Sequence, residues 1–122
     1  MTIRWLLLVV ALSACAKKQE PSGGSGSDDR APAMSAAEIQ RSQDACKGYV
    51  ERACACAETV AAMKQPCALA KALPEAVQIG LEVAANPEST RADALSAQGS
   101  VRKAVKECVE QTARLPSMGC PP

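Results

Sequence analysis

From Ser35 onward the apolar positions recur at steps of three, four or seven, the spacing of one face of a helix. Ser35-Ala36-Ala37-Glu38 has the form of a capping box, in which the Ser hydroxyl and the Glu carboxylate each satisfy a backbone N–H at a helix start. The helix that begins there carries Ile39, Cys46, Tyr49/Val50, Ala53, Cys56/Ala57, Val60 and Met63 on one face, with Arg41, Asp44, Lys47, Glu51 and Glu58 mostly elsewhere. Gln65-Pro66 reads as a cap with Pro at the first helical position, opening a second helix whose stripe is Ala70, Leu73, Val77, Leu81 and Ala84. Pro74 is expected to kink or split that helix. Asn86-Pro87-Glu88 repeats the cap-then-Pro signal and predicts a third segment with Leu95, Val101/Arg102, Val105, Cys108/Val109 and Thr112 on one face. An interruption at Gly99-Ser100 would make the count four rather than three. Nothing alternates with period two, so strands are not expected. The body from residue 35 to 122 is therefore read as all-α, a small bundle of three to four helices.

The first residues follow a different pattern. Arg4 precedes an apolar run from Trp5 to Leu12, and the small residues Ser13 and Ala14 lead to Cys15. A basic start, a short apolar segment and a small-residue exit mark a removable secretory signal over residues 1–14, too short to remain as a spanning helix. Leu12-Ser13-Ala14-Cys15 resembles the lipobox of bacterial lipoproteins: an aliphatic residue, two small ones, then cysteine. The resemblance implies cleavage between Ala14 and Cys15, a diacylglyceryl thioether on Cys15 and acylation, palmitate-type, of the new amino terminus. It covers only the first fifteen residues. An ordinary exported chain cut nearby, with Cys15 as an odd thiol, is the alternative. Ala16 stands where many bacterial lipoproteins carry an Asp that retains them in the inner membrane. The resemblance thus implies an outer-membrane lipid anchor facing the periplasm.

After Cys15 the composition turns to Lys, Gln, Glu, Pro, Ser, Gly and Asp, with Ser22-Gly23-Gly24-Ser25-Gly26-Ser27 at the centre. Residues 15–34 are accordingly assigned to the lipidated cysteine and a flexible linker. As a coil, Ala16 to Met34 would span roughly 25 Å on average. A leash that lets the domain reach past head groups and a plain spacer are equally compatible with that composition.

Composition narrows what the body can do. It holds 19 Ala but only 17 larger apolar residues, and the chain has no Phe, so the core is thin. Ten Lys/Arg face ten Asp/Glu within it, offering no polybasic surface to nucleic acid, anionic lipid or a membrane-perturbing mode of action. The absence of His removes imidazole bases and imidazole metal ligands. No Gly-x-Ser-x-Gly or phosphate-cradling loop occurs, and the carboxylates fall at the spacing of solvated helix faces. No catalytic residue, cofactor or metal is assigned.

The chemistry that remains is sulfur. Cys46, Cys54, Cys56, Cys67, Cys108 and Cys120 are an even set in a small exported chain, which points to a disulfide framework. Cys54 and Cys56 project about 160° apart on one helix and so face different neighbours. Cys46 lies about 12 Å before Cys54, which forbids that pair. With helices antiparallel in sequence order, Cys108 stands near the level of Cys54 and Cys56, and Cys67 lies just across a turn. One of the two adjacent cysteines is then expected to pair with Cys67 and the other with Cys108, leaving Cys46 to Cys120.

Families built on paired Cys-x9-Cys hairpins, or the Cys-x2-Cys termini of saposin-like domains, do not match. A Cys-x-Cys unit in an Ala-rich helix resembles that of small uncharacterised Cys-rich helical bacterial lipoproteins. The expected function is that of a membrane-anchored lipoprotein whose periplasmic helical domain has a non-catalytic binding or structural role. Its partners would be membrane lipid, through acylated Cys15, and a protein not identifiable from sequence. The alternative is a periplasmic metal- or thiol-handling protein using Cys54 and Cys56.

Overall fold

In a computed structural model of the chain, residues 29–122 are described. They form four α-helices and two 3-10 turns with no strand among them: α1 Ala36–Ala57, a 3-10 turn Ala61–Met63, α2 Lys64–Ala70, α3 Leu73–Ala85, α4 Arg91–Arg114 and a 3-10 turn Leu115–Met118. The fold is an all-α, disulfide-stapled bundle, as the sequence pattern indicates.

Each helix start has a local cause. The Ser35 Oγ accepts from the Glu38 N–H at 3.2 Å, which is half of the expected capping box. The Glu38 carboxylate does not turn back; it accepts from the Arg102 Nε at 2.8 Å on another helix. Pro66 sits in the first turn of α2, which starts two residues earlier than its Gln65-Pro66 signal suggests. Pro74 splits rather than kinks: Lys71 and Ala72 form a turn, and α3 begins at Leu73 with Pro74 in the positions that need no intrahelical N–H bond.

Two expected boundaries are corrected. Asn86 ends α3 rather than opening α4. Its side-chain oxygen accepts from the Glu88 N–H at 2.9 Å, and Thr90 caps α4 instead, its Oγ1 accepting from the Asp93 N–H at 3.1 Å. Gly99-Ser100 does not interrupt α4, which runs for 24 residues. With only polar or absent side chains there, nothing forces a break.

α1 and α4 lie side by side and run parallel, with α3 returning antiparallel against both. Glu38 meets Arg102, Cys46 meets Cys108 and Cys56 meets Cys120, all at sequence separations of 62 to 64. α4 therefore starts about two turns before the level at which α1 starts. The extended segment that precedes α1 covers those extra turns. Gln98, buried on α4, donates to the Pro32 carbonyl at 2.7 Å, Arg91 donates to the Arg30 carbonyl at 2.7 Å, and Ala31 is buried. The last residues of the expected linker thus lie strapped against the bundle.

The core is small and partly sulfur. Met63, Val77, Val101, Cys46 and Cys108 are its largest fully buried side chains, with Tyr49, Leu81 and Leu115 around them. α3 and α4 approach closely at Gly80, where a Cβ would stand 2.6 Å from the Val101 Cγ2. On α4 the buried positions are Ala94, Gln98, Val101 and Cys108. Leu95 and Val109, assigned to the inner face by periodicity, are exposed instead.

Candidate functional site

All six body cysteines are paired: Cys46–Cys108, Cys54–Cys67 and Cys56–Cys120. Cys54 or Cys56 reaching Cys67 across a turn is the expected arrangement. The other two pairs differ from expectation. Cys108 bonds to Cys46, not to a member of the Cys-x-Cys unit, and Cys120 bonds to Cys56, not to Cys46. The physical reason is the slide of α4: placing the two helix starts level sets Cys108 opposite Cys54, whereas α4 starts about two turns earlier, which brings Cys108 opposite Cys46. Cys120 reaches Cys56 because α4 tightens into its 3-10 turn and Gly119, at φ 88°, reverses the chain. The Cys120 N–H then closes onto the Leu115 carbonyl at 3.1 Å.

The three bridges differ in setting. Cys46–Cys108 is wholly inside the core, Cys56–Cys120 nearly so, and Cys54–Cys67 joins a partly buried Cys54 to a buried Cys67. Cys54 and Cys56 do face different neighbours, as their angular separation requires. With both sulfurs bonded to different partners, neither is a thiolate nucleophile or metal ligand in this oxidised state.

Outside the sulfur framework an open groove of about 530 Å³ lies between α1 and the second half of α4. Its walls are Ala45, Gly48, Tyr49, Val109, Ala113 and Pro116, with Asp44 and Arg52 at its edges. Tyr49 also borders a smaller groove of about 270 Å³ with Pro66, Leu69, Leu73 and Glu107. Tyr49 is thus the shared wall of two surface depressions. Burial of its phenol raises its pKa above 10.0, and the nearby Glu107 carboxylate adds to the rise by opposing a second negative charge. Leu69, 69% exposed, and Val109, 56% exposed, stand beside these depressions.

The chain matches no known protein family, no curated protein and no solved structure. Its chemistry has to be read from its own residues. Among the described residues no group of three His, Cys, Asp or Glu side chains is placed to hold a metal ion. No described helix is long and apolar enough to cross a membrane. Ala14 and Cys15, the expected cleavage and lipidation positions, lie outside the described residues.

Sequence periodicity placed Tyr49 on the inner face of α1 but gave no sign that it borders two grooves. A lone aromatic in an Ala-rich helix was the available signal, since a ring among small neighbours leaves space around it. Gln98 and Gly80 were also missed as packing residues. A glutamine in a helix pattern reads as solvent-facing until the strap that it holds is known.

Proposed function

We propose that the chain is a membrane-anchored bacterial lipoprotein whose helical domain is a non-catalytic binding or structural module, acylated at Cys15 and held at the periplasmic face of the outer membrane. The observation that supports this reading is one of parity. The sequence has seven cysteines, and six of them pair with one another in the body. Such pairing favours an oxidising compartment, and so supports export, and it leaves Cys15 as the odd thiol. Cys15 is also the cysteine that ends the Leu12-Ser13-Ala14-Cys15 motif. Acylation gives an odd thiol in an oxidising compartment a fate other than intermolecular bonding. Each buried methylene contributes about 0.8 kcal/mol, and two chains suffice for stable anchoring.

A non-catalytic role is supported by the residues present. The body lacks His, its sulfurs are bonded, and its larger groove is apolar with one cation and one anion at the edges. Binding through such a surface needs shape and a few placed charges, not a reactive group.

The test is intact mass and thiol counting on the exported protein. The expected result is a mature chain beginning at Cys15, carrying acyl groups, with no free thiol under non-reducing conditions. Cys15→Ser should release the protein from the membrane fraction. A chain found without acyl groups rejects the anchor. Two or more free thiols among the body cysteines reject the structural role of the sulfurs and favour the thiol- or metal-handling alternative at Cys54 and Cys56.

A further inference from the structure

Asp44, Gly48 and Arg52 follow one another on α1 at intervals of four residues and so share one outward face. A glycine inside a helix weakens it relative to alanine and calls for a packing reason. Gly80 has one, the Val101 side chain against it. Gly48, like Gly99 on α4, has none among the described residues, since a Cβ there would meet no atom within 4 Å. Of the two, Gly48 lines the larger groove. Val109, next to the Cys108 that is bonded to Cys46, brings an exposed apolar side chain to the same level.

The charges at the two ends of this face are opposite in sign and equidistant from Gly48. Neither Asp44 nor Arg52 forms an ion pair among the described residues; the pairs present are Lys47–Glu51, Glu38–Arg102 and Lys106–Glu110. Rotating α1 by a half-turn about an axis through Gly48, perpendicular to the helix, sets Asp44 over Arg52 of a second copy, and Arg52 over its Asp44. A face that is self-complementary under a twofold rotation is what an isologous dimer requires. The missing side chain at position 48 allows the two helix backbones to approach at the crossing point, and each copy's Val109 is covered beside it.

We propose that this chain associates as a twofold homodimer in which α1 packs antiparallel on α1 of a second copy. The helices cross at Gly48 and are flanked by two Asp44–Arg52 pairs. The occupant of the groove is a second copy rather than another protein because the charge pattern satisfies itself. Acylation of Cys15 does not enter the argument.

The mass of the purified full chain in detergent, with the detergent contribution subtracted, tests this against variants in the same micelle. The wild type is expected to be dimeric at hundred-micromolar concentration and to dissociate more readily as salt rises. Asp44→Arg places like charges opposite one another and should weaken association by about tenfold or more, while adding Arg52→Asp restores it by reversing both signs. Gly48→Leu should abolish the dimer without lowering the helical signal, because the side chain enters open space in the monomer. A monomeric wild type, a dimer indifferent to Gly48→Leu, or a double charge reversal that fails to rescue would each overturn the proposal. Should Gly48→Leu fold poorly, the two exposed charge variants still decide.

Discussion

Gly80 and Val101 show how one missing methyl group sets the spacing of two helices. Val101 is fully buried and β-branched, so it has little rotamer freedom with which to yield. Gly80→Ala would gain about 1 kcal/mol in helix propensity. It would also force a Cβ to 2.6 Å from the Val101 Cγ2, an overpacking that costs about 1–3 kcal/mol. The net expectation is a lower denaturant midpoint, and Val101→Ala in the same chain should reduce the penalty of Gly80→Ala. A double-mutant cycle reads that coupling directly, and additive effects would contradict it. Tyr49 gives a second residue-scale test. Its folded pKa is raised above the unfolded value of 10.0, so its contribution to stability is whole below pH 10 and is lost as pH rises through the folded value. As the chain's one tyrosine, it can be followed by phenolate absorbance, whose midpoint should lie above 10. Tyr49→Phe should lose less stability than the wild type between neutral and strongly alkaline pH. An equal loss in both would mean that Tyr49 ionises as freely when folded as when unfolded.

At the scale of elements, the slide of α4 accompanies the sulfur pairing, and the strap covers the turns of α4 that α1 does not reach. Gln98→Ala removes the donor that holds the Pro32 carbonyl and should cost about 1 kcal/mol. Its effect should be local, seen as faster tryptic cleavage after Arg30 with cleavage in the middle of α4 unchanged. The inner face of α1 was legible in sequence because Cys46, Tyr49, Ala53 and Cys56 keep helical spacing and are in fact buried. So was the stripe of Val77 and Leu81 on α3. On α4 the reading failed at Leu95 and Val109, since a helix in which Ala94, Gln98 and Val101 form the inner face has no dense apolar stripe to follow. The pairing of Cys46 and Cys56 was not legible because periodicity fixes rotation about a helix axis, not translation along it. Translation here shows only in contacts distant in sequence, Glu38 with Arg102, Cys46 with Cys108 and Cys56 with Cys120. The groove was not legible: Gly48 carries no side chain to pattern, Val109 reads as an inner-face residue, and the two become one surface only when Cys108 brings α4 alongside Cys46.

For the whole molecule, covalent bonds must make up what the interior lacks in bulk. The bridges Cys46–Cys108 and Cys56–Cys120 close loops of 62 and 64 residues, and Cys54–Cys67 one of 13. In the chain-entropy view each long loop is worth about 4 kcal/mol and the short one about 3 kcal/mol. The loops overlap, so these figures do not add, yet any one of them is a large part of the 5–15 kcal/mol that holds a typical domain folded. The order of loss can be argued from position. Cys46→Ala with Cys108→Ala removes a long loop and empties sulfur volume from the centre of the core, so it should destabilise most. Cys54→Ala with Cys67→Ala, which opens a short loop and involves the only one of the six cysteines that is not buried, should destabilise least. Full reduction goes further, because a core of Met63, Val77, Val101, Leu81 and Leu115 among alanines buries too little apolar surface to offset the entropy of ordering the helices. Circular dichroism of the reduced, alkylated chain should therefore show reduced helicity and no sharp thermal transition, whereas the oxidised chain melts cooperatively. A reduced chain that kept a sharp transition would show that packing alone holds the bundle and that the bridges serve some other purpose.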